Sequence, residues 1–167
     1  MKVEVLFPEV GNLCGDLMNI RYLHQCRPDM LVVETDLKSR PAFLDGSVDL
    51  VYMGSATEHG LQLMVQALRP YLAELTQFVD GGRHMLVTGN ALDALGAYVQ
   101  ADNGMHFDGL GLLPTHAEYH MMARHNSFFL GTYAGGIEVM GFKSLFGHTY
   151  GTDAPDDGLF RVQRGVG

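Results

Sequence analysis

With 167 residues, 47% of them hydrophobic and 18% charged, the chain has the length and composition of one domain, residues 1–167, around one sizeable core. Lys+Arg 11 against Asp+Glu 19 gives a net charge of −8, which speaks against nucleic acid or an anionic membrane as partner. No apolar run approaches a membrane span, Met1-Lys2-Val3-Glu4 lacks the basic-then-apolar pattern of a signal peptide, and Cys14 and Cys26 make no disulfide framework, so a cytoplasmic setting is expected.

Lys2–Phe7 has β-type content and stops at Pro8, which predicts a first strand. After the loop Pro8–Gly15, Asp16 is placed to cap a helix running to about Cys26, with Leu17, Ile20, Leu23 and Cys26 at near-helical spacing. Met30–Thr35 reads as the second strand and Val48–Met53 as the third, ending at Gly54. A helix follows over about Glu58–Leu68, and Pro70 starts another whose stripe is Tyr71, Leu72, Leu75, Phe78 and Val79. Gly81-Gly82 ends it. The fourth strand, His84–Thr88, runs into a sharp bend and a helix over Gly89-Asn90-Ala91-Leu92-Asp93-Ala94-Leu95-Gly96. Beyond Gly96 the segments Gly109–Leu113, His116–Met122, Ser127–Tyr133 and Ile137–Phe142 read as short strands with glycine turns, and Thr152–Gly158 as an exposed acidic loop.

Strands alternating with helices predict an α/β fold, an open, mainly parallel sheet with helices on both faces, here with an antiparallel extension in the C-terminal half. Ligands of such sheets bind at the carboxyl ends of the strands. The loops Pro8–Gly15, Gly54–His59 and Gly89–Ala91 are therefore expected to share one edge.

Those loops carry a resemblance. Asn12-Leu13-Cys14-Gly15-Asp16-Leu17-Met18-Asn19-Ile20 resembles the N-L-x-G-D-x-x-N-I segment that opens class I glutamine amidotransferase domains of the cobyric acid synthase type, and of the lipid II isoglutaminyl synthase amidotransferase subunit. Asp49–Gly54 is similar to the strand entering that family's oxyanion loop, and Leu86–Gly96 to its nucleophile turn, usually C-G-G-Y-Q-x-L-G. Gly109–Leu113 resembles its E-G-L-G-L-L segment, and Met140–Tyr150 its G-F-E-N-H-G-G-R-T-Y stretch. The order is the same along nearly the whole chain. The resemblance implies a flavodoxin-like sheet, no cofactor, and an ATP-dependent ligase as partner, in a setting such as cell-wall precursor amidation.

The departures fall on the chemistry. The family's cysteine position is Gly89, the two glycines after it are Asn90 and Ala91, and its glutamine is Asp93 or a neighbour. Of the glycine-rich oxyanion loop only Gly54 remains, followed by Ser55, and the late basic residue is His148. The family's catalytic histidine, in a Y-L-H-G-type motif, would lie beyond Gly167, so the resemblance implies a domain without its C-terminal part or a chain that continues past that residue.

Releasing ammonia from glutamine needs a thiolate, an imidazole to activate it, and N–H donors aimed at the oxyanion. A glycine apex supplies a backbone N–H and no nucleophile. The expectation is a catalytically degenerate domain with a vestigial pocket at Gly54, Ser55, Gly89, Asn90 and His148, able to hold a small amide or amino acid. The alternative is an active enzyme using Cys14, on the correct edge but with no base near it in sequence. His116, Glu118 and His120 would share one face of a strand, either as a divalent-metal grip or as the polar outer side of an edge strand. With no Cys pair and no His-x-x-x-His helix beside them, no metal is assigned. Asn90 is expected to cap its helix or meet a carboxylate there, and Gly131, Gly135, Gly136 and Gly141 to form hairpin turns.

Overall fold

The structure is a computed structural model describing residues 1–151 and 159–165, so the acidic stretch Thr152–Gly158 lies outside the described residues. A four-stranded parallel sheet, ordered β2-β1-β3-β4, is built from β1 (Lys2–Leu6), β2 (Leu31–Thr35), β3 (Leu50–Met53) and β4 (His84–Val87). Its register pairs Val3 with Val32 and Leu50, and Tyr52 with Leu86. Side chains alternate across it as strand geometry requires. Val3, Val5 and Tyr52 face α1 (Met18–Cys26) and pack with Ile20 and Met30. Leu6, Val51 and Met53 face the other way, onto α2 (Glu58–Leu68) and α3 (Leu72–Asp80).

The helices form where the pattern and the caps agree. In α2 the Thr57 side chain accepts from the Gly60 N–H at 3.1 Å, and Leu61, Met64, Val65 and Leu68 form the buried stripe. A 3₁₀ turn over Arg69–Tyr71, with Pro70 at its start, leads into α3, whose buried residues are Leu75 and Phe78. Val79, expected on that stripe, is 43% exposed. Cys26 is exposed as well. Asp16 does not cap α1; the Leu17 N–H donates instead to Asn12 Oδ1 at 3.0 Å, and Asp16 is engaged elsewhere. Glu4, fully buried on β1, accepts from the Ala42 N–H at 2.6 Å and the Phe43 N–H at 2.7 Å, tying the β2–β3 connection to the sheet.

The C-terminal half differs most from expectation. After α4 (Ala91–Leu95), β5 (Tyr98–Ala101), β6 (His106–Asp108), β7 (His116–Tyr119) and β10 (Gly147–Tyr150) form a second sheet ordered β10-β7-β5-β6, with β5 and β7 parallel. A third sheet, β11-β8-β9, joins β8 (His125–Tyr133), β9 (Ile137–Leu145) and β11 (Arg161–Arg164). Among the described residues neither extends the parallel sheet by hydrogen bonds. Gly109–Leu113, expected as a strand, is a loop, because its N–H groups donate to Ala94, Leu95, Gly96 and Ala97 carbonyls rather than to a ladder. Gly135 and Gly136 make the β8–β9 turn at positive φ, whereas Gly131 and Gly141 sit inside its strands.

Among the described residues no helix is long and apolar enough to cross a membrane.

Candidate functional site

Three loops meet at the carboxyl edge of the parallel sheet, and Asp16 joins them. Its Oδ2 accepts from the Ser55 N–H at 2.8 Å, the Ser55 hydroxyl at 2.6 Å and the Thr88 hydroxyl at 2.8 Å. One carboxylate thus bridges the segments after β1, β3 and β4. Burial pushes this carboxyl up, but the Ser55 and Thr88 donors outweigh it and hold it below its ordinary value. Behind it the buried Tyr52 hydroxyl donates to the Asp16 carbonyl at 2.8 Å, 3.0 Å from Thr88 Oγ1. The β1 and β3 loops also touch directly, since the Leu13 N–H donates to the Ser55 carbonyl at 2.9 Å. A Cβ on Gly54 would lie 2.1 Å from the Gly11 carbonyl oxygen, so this glycine is required by close approach of the backbones.

Gly89 follows β4 directly after Thr88 and has φ +53, the left-handed conformation of a sharp strand-to-helix bend. A Cβ built there would lie 2.8 Å from the Ser55 Cβ. Asn90 does not cap α4. Its amide pairs instead with both polar groups of Ala56, accepting from the N–H at 3.0 Å and donating to the carbonyl at 2.8 Å. That pairing fixes the bend against the loop after β3.

The bend opens on a cavity of about 440 Å³, whose wall includes Cys14, Ser55, Glu58, Gly89, Asn90 and Asp93. Tyr119, Arg124, Phe146 and Thr149 close its far side, contributed by the second sheet and the adjoining segments. Asp93 is buried, accepting from the Tyr119 hydroxyl at 2.7 Å and the Thr149 hydroxyl at 2.7 Å. Burial pushes its carboxyl above the ordinary value, with those two donors pulling the other way. The Tyr119 hydroxyl is pushed up by burial and by the neighbouring carboxylate. The Arg124 guanidinium lies 4.4 Å above the Phe146 ring.

The structure therefore gathers Ser55, Gly89, Asn90 and Cys14 on one wall, with Gly54 just behind it. His148 is not part of that wall. In β10 it alternates with Gly147 and Thr149, which line the cavity, and its ring lies 5.0 Å from that of His125. Burial and then the charges of His125, Lys143 and His120 hold His148 below its ordinary value. His116 and Glu118 do share a face, but His116 is stacked between Tyr98 and Tyr150, and His120 lies past the end of β7 against Asp102. Among the described residues no three of His, Cys, Asp and Glu converge as ligands of a metal ion.

Asp16, Thr88, Tyr119 and Thr149 were not legible as site residues. The Gly-Asp of the first loop signalled a helix cap, and only pairing across loops shows that the carboxylate serves Ser55 and Thr88 instead.

Chemically, the cavity offers hydroxyl, amide and carboxyl groups with one cation at its edge. Cys14 is its sole thiol, and no imidazole is among the described residues that line it.

No model of a known protein family matches this chain, and a comparison with curated proteins finds no match either.

Proposed function

We propose that this chain is a class I glutamine amidotransferase-like domain that no longer hydrolyses glutamine and serves as the binding or structural partner of an ATP-dependent ligase, in a reaction such as cell-wall precursor amidation. The observation that carries this reading is Gly89, a left-handed bend at the end of β4 that lines the cavity and has no side chain of its own to attack a substrate. An acyl-transfer site without its nucleophile loses several orders of magnitude in rate. What remains is a wall of donors and acceptors suited to holding a small amide or amino acid. The test is glutamate release from glutamine, measured with and without a candidate ligase, beside thermal shift with glutamine and related amides. No release, together with a ligand-dependent rise in melting temperature, is the expected result; turnover would overturn the reading.

A second reading has its own observation. Cys14 is exposed, lines the same cavity and has φ +59, a strained conformation for a side-chain-bearing residue. On that reading Cys14 is the nucleophile of an active amidotransferase or hydrolase. Glutamate release that disappears in Cys14→Ser would establish it.

A further inference from the structure

One edge of the parallel sheet is β2, whose ladder among the described residues is to β1 alone. In a parallel ladder, successive residues turn their N–H and C=O groups to opposite sides. The Leu31 N–H donates to the Met1 carbonyl at 2.9 Å, and the Thr35 carbonyl accepts from the Phe7 N–H at 2.7 Å. Leu31, Val33 and Thr35 thus address β1. Val32 and Glu34 direct their backbone groups outward, where no partner strand lies among the described residues. Natural edges are usually blunted by charged side chains, proline, a bulge or a covering element, and the one charge on β2 is Glu34. This one carries Leu31, Val32 and Val33, with Leu31 66% exposed. Beside it α1 leaves a groove of about 410 Å³ whose lining includes Ile20, Arg21, His24, Val32 and Glu34.

We propose that β2 is the surface on which a second copy of this chain docks, edge to edge about a two-fold axis perpendicular to the sheet. Such an axis makes the two β2 strands antiparallel and keeps both α1 helices on one side. One register uses every outward group. Val32 stands opposite the second copy's Glu34, Glu34 opposite the second copy's Val32, and Val33 meets its own copy on the axis. Sliding one way sets Glu34 directly against Glu34, a like-charge pair. Sliding the other way leaves Glu34 opposite Met30, where the strand has not begun. The favoured register also has charge complementarity. The incoming Glu34 arrives beside Val32 on the α1 face, where Arg21 and His24 line the groove. The partner is a copy of this chain, because the free groups, the apolar stripe and the charges are self-complementary in a single arrangement. This assignment is independent of the catalytic state of the cavity.

Sedimentation velocity of the full chain, from micromolar to millimolar concentration, tests it. The mass is expected to rise with concentration from 18.3 kDa toward twice that value. Val32→Pro removes an outward donor while leaving the β1 ladder intact, and is expected to stay monomeric with unchanged circular dichroism and melting. Glu34→Arg is expected to weaken the dimer by about tenfold or more, as for a lost charge-assisted contact, and adding Arg21→Glu to restore it. A wild-type chain that stays at 18.3 kDa throughout overturns the proposal. So does a dimer that Val32→Pro leaves unchanged, which would put the contact on another surface such as the β4 edge, and so does a β2 edge that binds only peptides of another sequence.

Discussion

A side chain at position 89 would begin 2.8 Å from the Ser55 Cβ, so the two positions share one volume, and a residue larger than glycine fits one of them only if the other shrinks. Gly89→Cys is therefore expected to destabilise the fold through both this clash and the left-handed backbone, by about 2–4 kcal/mol. Adding Ser55→Gly should recover the clash but not the backbone cost, so urea denaturation of the two singles and the double should show positive coupling. Additive losses would show that the volume is not shared. The two carboxylates of the site respond to pH in opposite directions. Asp16 lies below its ordinary value, so its contribution is full above the unfolded value and is lost as pH falls through the folded one. Asp16→Ala, which strips an acceptor from three donors, is expected to cost about 2 kcal/mol at neutral pH. Asp93 lies above its ordinary value. The folded chain keeps that proton where the unfolded chain has released it, and stability falls as pH rises between the two values. Asp93→Asn is expected to flatten this fall, as read from melting temperatures across the weakly acidic range. An unchanged profile would locate the dependence elsewhere.

At the scale of elements, backbone approach decided what composition could not. Gly109 was read within a strand, yet a Cβ there would lie 2.2 Å from the Gly96 carbonyl oxygen, and the loop it belongs to packs onto the end of α4. Gly109→Ala is expected to cost about 1–3 kcal/mol by overpacking that junction, as measured by chemical denaturation. At Gly141, by contrast, a Cβ would meet nothing within 4 Å. The first four strands and α2 were legible because apolar β-type runs and the breaks at Pro8, Gly54 and Gly81-Gly82 agree with one another; the Thr57 cap of α2 came only from the structure. β5 and β6 were missed. Each is short, and neither Tyr98–Ala101 nor His106–Asp108 alternates clearly enough to stand out from a loop.

For the whole molecule, burial is uneven. The parallel sheet carries Val3, Val5, Leu6, Val51, Tyr52 and Met53 essentially inaccessible to solvent, whereas in the third sheet Phe129 is the sole buried hydrophobic residue among those described. Phe128, Met140 and Phe142 there are mostly exposed. Hydrogen exchange is therefore expected to be markedly faster in β8, β9 and β11 than in β1 and β3, since local opening of that sheet exposes little additional apolar surface. Equal protection in both would show that the third sheet opens only with global unfolding.

The sequence by itself determined the strand–helix alternation, the carboxyl-edge placement of three loops and the glycine at the bend, Gly89. These are local properties: hydrophobic period, glycine and proline punctuation, and residue identity at a turn. Only the tertiary structure decided that Asp16 ties the loops together, that Ser55 faces the Gly89 position, that His148 stays outside the cavity and that the outer edge of β2 meets no strand among the described residues. Each depends on which distant segments come within hydrogen-bonding or van der Waals reach, and no neighbouring residue encodes that distance.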